Sequence, residues 1–526
     1  MQKYPSMNRT SGQNLAAIFT VLQLASAAFA GRLLAAEPTP AENAAAKQWM
    51  ENNLLEGKLG RPFGFVYGGK PAGELLPQWK FSRTTRQIDP QRREHTQTWN
   101  DQATGLQVRC VAVEYTGFPV VEWTLWLKNT GNERTPVLKD ILGLDAAFEY
   151  AERGEFVLHG IRGDSCLADS FRPFDQTLAP GVSKQFSPPV TDKFVSGKSS
   201  DGPDGWPYFN LQKPAGGVII AVGWPGQWAA SFTRDNDRGV QVKAGQQLTH
   251  LYLKPGEEIR TPLIALLFWE GTDVVRAQNL WRSWYLVHNL PRINGKPQTP
   301  TTQIQVDGSL ASMPKVEAYL QAGIKPDICW RDAGGRNTWY PSSTGPYSDK
   351  KIWLNTGTWE PDPVRYPQGF KPFSDQVHSL GMQFLLWFEP ERVGDPNSWL
   401  GKNHPEWLLP GNSAGLVLNE GNSDALNWLI DNVDGMIKSQ GIDWYREDMN
   451  GGHHGTAWRD HDPEDRQGIT ENLYVQGHLA FWDELRRRNP NLHIDSCASG
   501  GRRNDLETMR RAVPLLRSDW SVTAFA

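Results

Sequence analysis

The sequence predicts a multidomain protein: an all-β region followed by a (β/α)8-type barrel whose run stops after about six strands. Three observations carry that expectation. From about residue 60 to 270, short β-rich runs such as Val120 to Leu127 and Gly217 to Val222 alternate with Gly, Pro, Asn and Asp turns. That is the texture of a large antiparallel sandwich. Beyond Thr302 the rhythm changes to strands alternating with helical patterns, which implies a parallel sheet. Finally, acidic residues recur at the ends of the later strands, where barrels of this kind keep their chemistry.

Residues 1–36 read as an export signal, with Lys3 and Arg9 ahead of an apolar stretch from Leu15 to Ala30. Ala28-Phe29-Ala30 and Leu34-Ala35-Ala36 offer small-residue cleavage sites. A periplasmic or secreted protein is expected. A single membrane anchor is the alternative, but the run is shorter than the roughly 20 residues a span needs. No later segment is long and apolar enough to cross a bilayer.

Residues 37–290 form the expected β domain, with helices at about 37–55 and from Val274 to His288. A polar linker covers 291–302, and 303–526 carry the barrel. Its strand candidates are Thr302 to Val306, Asp327 to Asp332, Met382 to Glu389, Asp443 to Asn450, Leu492 to Ser496 and Leu515 to Trp520. Helical patterns run from Phe373 to Leu380, Ser423 to Gln440 and Glu471 to Arg488. Eight strands close a barrel, so six leave two edges facing a gap. The chain therefore reads as incomplete at its C-terminus, a complete open sheet being the alternative.

Composition narrows the partners. Lys and Arg number 54 against 58 Asp and Glu, a formal charge of -4 with no basic stripe, which speaks against nucleic acid and anionic membranes. Twenty-three Trp residues suit stacking on sugar faces, although large β cores use them too. Cys110, Cys166, Cys329 and Cys497 form no CxxC pair. In an exported protein a Cys110–Cys166 bridge is open, while Cys329 and Cys497 are expected as buried thiols. His453-His454 is an isolated pair in a Gly-rich loop, expected to be exposed. Neither a metal nor a cofactor is expected. A homo-oligomer stays open.

Read in order, the strand ends present Arg331-Asp332, Glu389-Pro390-Glu391-Arg392, Arg446 to Asn450, Asp495-Ser496-Cys497 and Ser518-Asp519-Trp520. No Ser-His-Asp spacing, phosphate loop or dinucleotide fingerprint competes with them. Carboxylate pairs are what glycoside hydrolysis requires: one attacks or stabilises an oxocarbenium-like carbon, and the other protonates the leaving oxygen. Strand alternation puts Trp444, Arg446, Asp448 and Asn450 on one face and Tyr445, Glu447 and Met449 on the other. Arg446 beside Asp448 would keep that carboxylate ionised, so Asp448 is favoured over Glu447 as nucleophile. Glu389 and Glu391 are expected to anchor their loop through Arg392 or another base.

These strand ends resemble glycoside hydrolase family 36, the α-galactosidases that act by double displacement with retention. Leu386 to Val393 reads LWFEPERV, close to the family's LWFEPEMV, and His404-Pro405-Glu406-Trp407 is similar to its HPDW. Gly357-Thr358-Trp359, Arg365-Tyr366-Pro367 and Gly369 resemble GDW and KFPxGL; Ser496 to Gly501 with Arg503 and Asp505 resembles SCASGGGRFD. The resemblance implies an N-terminal supersandwich, Asp448 as nucleophile, from Lys-Trp-Asp-Met-Asn, and Asp519 as general acid/base, from Ser-Asp-Asn. It puts Trp359 on the aromatic that walls the sugar and Arg503 on an arginine near the site. Asn450, Cys497 and Gly500 also fall on motif positions.

The departures concern the sugar. Of the family's Asp-Asp pair that reads galactose hydroxyls, Arg331-Asp332 keeps only the second. Arg446-Glu447 replaces Lys-Trp, Lys402 stands for a sugar-contacting Arg, and Trp520 replaces Asn. An N-acetylated, deoxygenated or acidic relative of galactose is therefore an alternative sugar. Trp359, Trp387 and Trp520 are wall candidates; Asp332, Arg446 and Arg503 are candidates for positioning hydroxyls. A transglycosylase and a non-catalytic carbohydrate-binding protein on the same scaffold remain the rival readings. The expected partner in each case is an oligosaccharide or glycoside.

Overall fold

A computed structural model of the chain describes residues 36–57, 60–150, 154–333, 338–341, 356–357, 359–394, 396–412, 415–451 and 453–520. The leader reading, apart from residue 36, lies outside these. Among the described residues no helix is long and apolar enough to cross a membrane.

The first half is built from two antiparallel sheets of seven and ten strands. Both feed one hydrophobic cluster: Trp123, Leu125 and Val218 come from the larger sheet, Phe232, Val242 and Leu144 from the smaller. The strand Gly216–Gly223 is buried along its whole length, which explains its unbroken apolar run. Alternation sends Val218, Ile220 and Val222 into the shared core. Ile219 and Ala221 go the other way, under Ala277, Leu280 and Trp284 of the helix Val274–Trp284. That helix and the opening helix Pro40–Trp49 each continue as a π-helical turn, Tyr285–Asn289 and Met50–Leu55. The expected linker contains a small hairpin, Arg292–Ile293 against Lys296–Pro297.

The four cysteines are free, which corrects the open Cys110–Cys166 bridge. Cys110 lies in the core strand Leu106–Tyr115, whereas the Cys166 thiol donates to the Ser499 carbonyl at 3.2 Å.

The second half holds a five-stranded parallel sheet of Gln303–Gln305, Ile328–Arg331, Gln383–Phe388, Trp444–Glu447 and His493–Ser496, adjacent in chain order. The sixth expected strand, Leu515 to Trp520, does not form. The sheet is extended only by a parallel bridge between Asp495 and Val513. Pro514 supplies no N–H to continue a ladder beyond it. The described residues thus make an open parallel sheet rather than a closed barrel. A three-stranded antiparallel sheet (392–393, 408–412, 415–418) is added beside it.

Alternation sorts this sheet into two faces. Ile328, Leu385 and Trp444 form a small cluster with Trp330, Val513 and Leu515. Cys329, Leu386 and Tyr445 join the larger cluster that takes in Val377, Val433 and Phe481 from the helices. The helix Ser423–Gln440 matches its sequence pattern end to end. Asn422 caps it by accepting from the N–H groups of Asp424 and Ala425, and Gly441, at φ 68°, ends it.

The two halves interlock close to the strand ends. Glu471 on the helix Ile469–Arg488 accepts from the Trp224 indole at 2.8 Å and the Gln227 N–H at 2.7 Å. Gly197 and Gly455 meet backbone to backbone: a Cβ on Gly197 would lie 2.6 Å from the Gly455 nitrogen. Only glycine permits that approach.

Candidate active site

Asp448 directly follows the fourth parallel strand, its N–H still in the ladder to the Phe388 carbonyl at 2.9 Å. Its side chain emerges on the same face as Arg446 and is buried. Oδ2 accepts from the Trp387 indole at 3.1 Å; Oδ1 accepts from the N–H groups of Met449 and Ser499, both at 2.8 Å. Burial alone would raise its pKa. Arg446, the Ser499 N–H, the Trp387 indole and the Asn450 side chain outweigh burial and hold it below the ordinary carboxylate value of 3.8. Asp448 is an ionised carboxylate poised by donors.

Asp519 is tuned the opposite way. Burial, then the negative charge of Asp448, push its pKa up to about 6, against the pull of Arg446. The two acids are linked through one loop. Ser499 donates to Asp448, and a Cβ on Gly500 would sit 2.7 Å from the Asp519 nitrogen. Ser499 and Gly500 both adopt positive φ, 56° and 87°, which folds the backbone tightly between the acids.

Arg446 is the central cation. It forms a salt bridge with Asp495, lies with Nε 3.8 Å from Asp332 Oδ2, and stacks over the Trp330 ring at 4.8 Å. Asp332 is partly exposed. Burial raises its pKa, Arg446 opposes and Asp448 adds to the rise. Trp387, Trp339, Tyr340 and Trp359 make a continuous aromatic wall: Trp359 lies 5.6 Å from Trp387 and 5.2 Å from Tyr340. Asn450 is held through its N–H by Glu389 at 2.6 Å. Cys497 is buried and its sulfur accepts from the Gly500 N–H at 3.3 Å. Trp520 is exposed.

Other expected residues lie elsewhere. Arg331 has the parity of Cys329, opposite to Asp332, and packs beside Gly308, whose added Cβ would touch its Cγ at 3.3 Å. Lys402 is exposed on the helix Trp399–Asn403 rather than buried around Asp448. Arg503 is buried and closes a separate network, donating to Glu391 at 2.8 Å and Glu447 at 3.0 Å. Glu447 also accepts from Tyr445 and Trp482, on the helix-facing side that alternation indicates. Glu389 pairs with Arg392 at 2.9 Å, the expected loop anchor.

Glu391, Glu447 and His478 place ligand atoms within 4.8 Å of one another. Arg503 already supplies the positive charge there, so the cluster needs no ion. His454 is fully buried, unlike exposed His453, which corrects the expectation of an exposed pair. Its imidazole stays neutral because burial pushes its pKa well down.

The β region adds groups that sequence reading missed. Lys198 is nine-tenths buried and donates to the Ser499 hydroxyl at 3.2 Å; Asp164 bonds the Gly501 N–H and the Ser518 hydroxyl, both at 2.8 Å. Some 300 residues separate these partners in the chain, with 354 between Asp164 and Ser518. No local pattern announces such contacts; the only trace is the polar, Gly-containing composition of loops 163–166 and 197–202.

With the geometry established, comparison places the architecture first among a class. Over 86% of the chain the fold superposes on the α-galactosidase of Lactobacillus brevis (TM-score 0.67, 21% identity, 61% of that chain). It also superposes on the family 36 α-galactosidase AgaA of Geobacillus stearothermophilus (TM-score 0.66, 21% identity, 64% of that chain). Residues 346–523, about a third of the chain, match the melibiase family model, and the sequence is similar to α-galactosidases. It is 26% identical over 328 residues to alpha-galactosidase 2 of Pediococcus pentosaceus, 59% of this chain and 43% of the relative. To the Escherichia coli α-galactosidase it is 34% identical over 175 residues, 31% of this chain and 23% of the relative. The chain thus spans under half the length of these two curated relatives.

Proposed function

We propose that the protein is an exported retaining α-glycosidase that removes a terminal α-linked galactose or a closely related sugar. The observation that carries this reading is the opposed tuning of two carboxyls across one loop. Asp448 is held ionised by Arg446 and three recorded donors, while Asp519 is held protonated up to about pH 6. Pairs pushed apart in this way divide into nucleophile and acid.

In the first step Asp448 Oδ attacks the anomeric carbon as the glycosidic C–O bond breaks, and Asp519 gives its proton to the leaving oxygen. In the second, Asp519 takes a proton from water, which attacks the same carbon and releases Asp448. The net result is hydrolysis with retention. Trp359 and Trp387 are themselves fully buried and back the site behind Asp448, while the partly exposed Asp332 offers a polar group to the sugar. The similarity to α-galactosidases supports galactose; substituted variants of AgaA have been crystallised with stachyose and raffinose. The pairing of Arg446 with Asp332 and Asp495 favours a relative of galactose with an altered substituent. The architecture that goes with this proposal is a (β/α)8-type barrel site preceded by an N-terminal supersandwich.

The test is hydrolysis of a panel of aryl α-glycosides, with NMR of the first-formed anomer. Retention, with α-galactoside or a relative among the substrates, is expected; an inverted product overturns the mechanism. Turnover of plain α-galactosides that equals or exceeds every relative overturns the altered-sugar reading.

A further inference from the structure

Among the fully buried carboxylates without a role in the mechanism, one touches the segments of both acids. Asp164 belongs to the β region, and its backbone is clamped: its N–H donates to the Ser200 carbonyl at 2.9 Å and its carbonyl accepts from Gly202 at 3.0 Å. Gly163 permits this, since a Cβ there would sit 2.3 Å from the Ser200 oxygen. The carboxylate therefore has a fixed origin. Oδ1 accepts from the Ser518 hydroxyl at 2.8 Å and the Cys166 N–H at 2.9 Å; Oδ2 accepts from the Gly501 N–H at 2.8 Å. Ser518 precedes Asp519, and Gly501 follows the Ser499–Gly500 turn that donates to Asp448. A Cβ on Gly500 would lie 2.6 Å from Asp164 Oδ2 and 2.7 Å from the Asp519 nitrogen. One side chain thus sits where the nucleophile's donor loop and the proton donor's segment cross.

We infer that Asp164 is the positioning residue of the proton donor: it ties the Ser518–Asp519 segment to the Gly500–Gly501 loop and sets a fixed negative charge beside the Asp519 carboxyl. The inference rests on the assignment of Asp519 as acid/base. The groups facing Asp519 come from three elements. Arg446 lies on the fourth strand and Asp448 follows it, Cys497 and Arg502 follow the fifth, and Asp164 and Cys166 come from the β region. Asp448 and Asp164 favour the protonated acid; Arg446 and Arg502 oppose it.

The experiment measures kcat/KM against pH for the full-length protein, using alkyl and 4-nitrophenyl α-glycosides. Asp164→Asn keeps the volume and removes the charge, and the basic limb is expected to move down by about half a pH unit or more. Ser518→Ala keeps the charge and removes the tether. It is expected to slow the alkyl glycoside, which needs protonation, roughly tenfold more than the activated aryl glycoside. Asp519→Ala is run beside them. If it keeps the basic limb and shows no leaving-group dependence, the acid/base reading fails. If Asp519→Ala behaves as an acid deletion, an unmoved limb in Asp164→Asn overturns the inference. So does equal slowing of both substrates by Ser518→Ala. Both results are those of a purely structural Asp164.

Discussion

Two carboxylate clusters lie back to back on the fourth parallel strand, and neighbouring residues divide them. Glu447 faces the helices and joins Glu391, Glu420 and His478 around Arg503, all buried. Asp448 faces the other way and joins Asp519, Asp332 and Arg446 beside an aromatic wall. Residue type does not separate them, since both are acids clustered on an arginine. Closure does. Around Arg503, donors from Tyr445, Tyr474 and Trp482 reach the carboxylates of Glu447 and Glu391. All three acids, Glu420 included, are buried, and a network closed to solvent in this way fixes structure. Around Arg446 the partner Asp332 is partly exposed, and Asp519 is neutral at mildly acid pH. Burial pushes Glu447 up as well, to about 7, so a proton alone does not mark the site; an approach for ligand at Asp332 distinguishes the Asp448 cluster from the closed one.

The largest effect that tests this division comes from the nucleophile. Asp448→Asn should lower kcat on the order of 10⁴-fold or more while leaving the thermal unfolding midpoint near that of the wild type. A comparable loss in Glu447→Gln with the fold intact would reverse the two clusters. Next is Arg503→Met, which strands Glu391 and Glu447 in the interior. Breaking a buried pair in this way costs about 3–5 kcal/mol, read as a lower denaturation midpoint, with KM of the surviving folded fraction unchanged. Trp387→Phe keeps the wall and deletes one donor to an ionised carboxylate, worth about 1.5–3 kcal/mol. The expected reading is a roughly tenfold or greater fall in kcat.

The smallest effect is the pH profile. In the proposed mechanism Asp519 acts in its protonated form, and burial with the Asp448 charge pushes its pKa up to about 6. The basic limb of kcat/KM should therefore fall as pH rises through about 6. Asp448 must be ionised and lies below 3.8, so the acidic limb belongs below that value. Loss of activity between pH 4 and 5 would contradict the tuning of Asp448.

Much of this was legible in sequence where the information is local. The helix Ser423–Gln440 carries its cap, its apolar period and its terminal glycine within 20 consecutive residues. Alternation around Trp444–Glu447 needed only the period of a strand to separate Glu447 from Asp448. The expected strand at Leu515 to Trp520 is absent, and the sheet gains only a bridge at Val513, ahead of Pro514, which supplies no N–H to a ladder. Arg503 matched a motif position yet serves the sealed cluster, since a motif fixes order along the chain and not the face to which a side chain turns. Asp164 and Lys198 were beyond reach. Their partners lie some 300 residues away, and only folding brings the β loops onto the strand ends.

The most direct test of the account is to trap the covalent intermediate. A fluorinated α-galactosyl fluoride, which slows the second step, should label the protein once, and peptide mass spectrometry should place the sugar on Asp448. A label on Glu447, or on any residue of the Arg503 network, would contradict the division of the two clusters and the mechanism built on it.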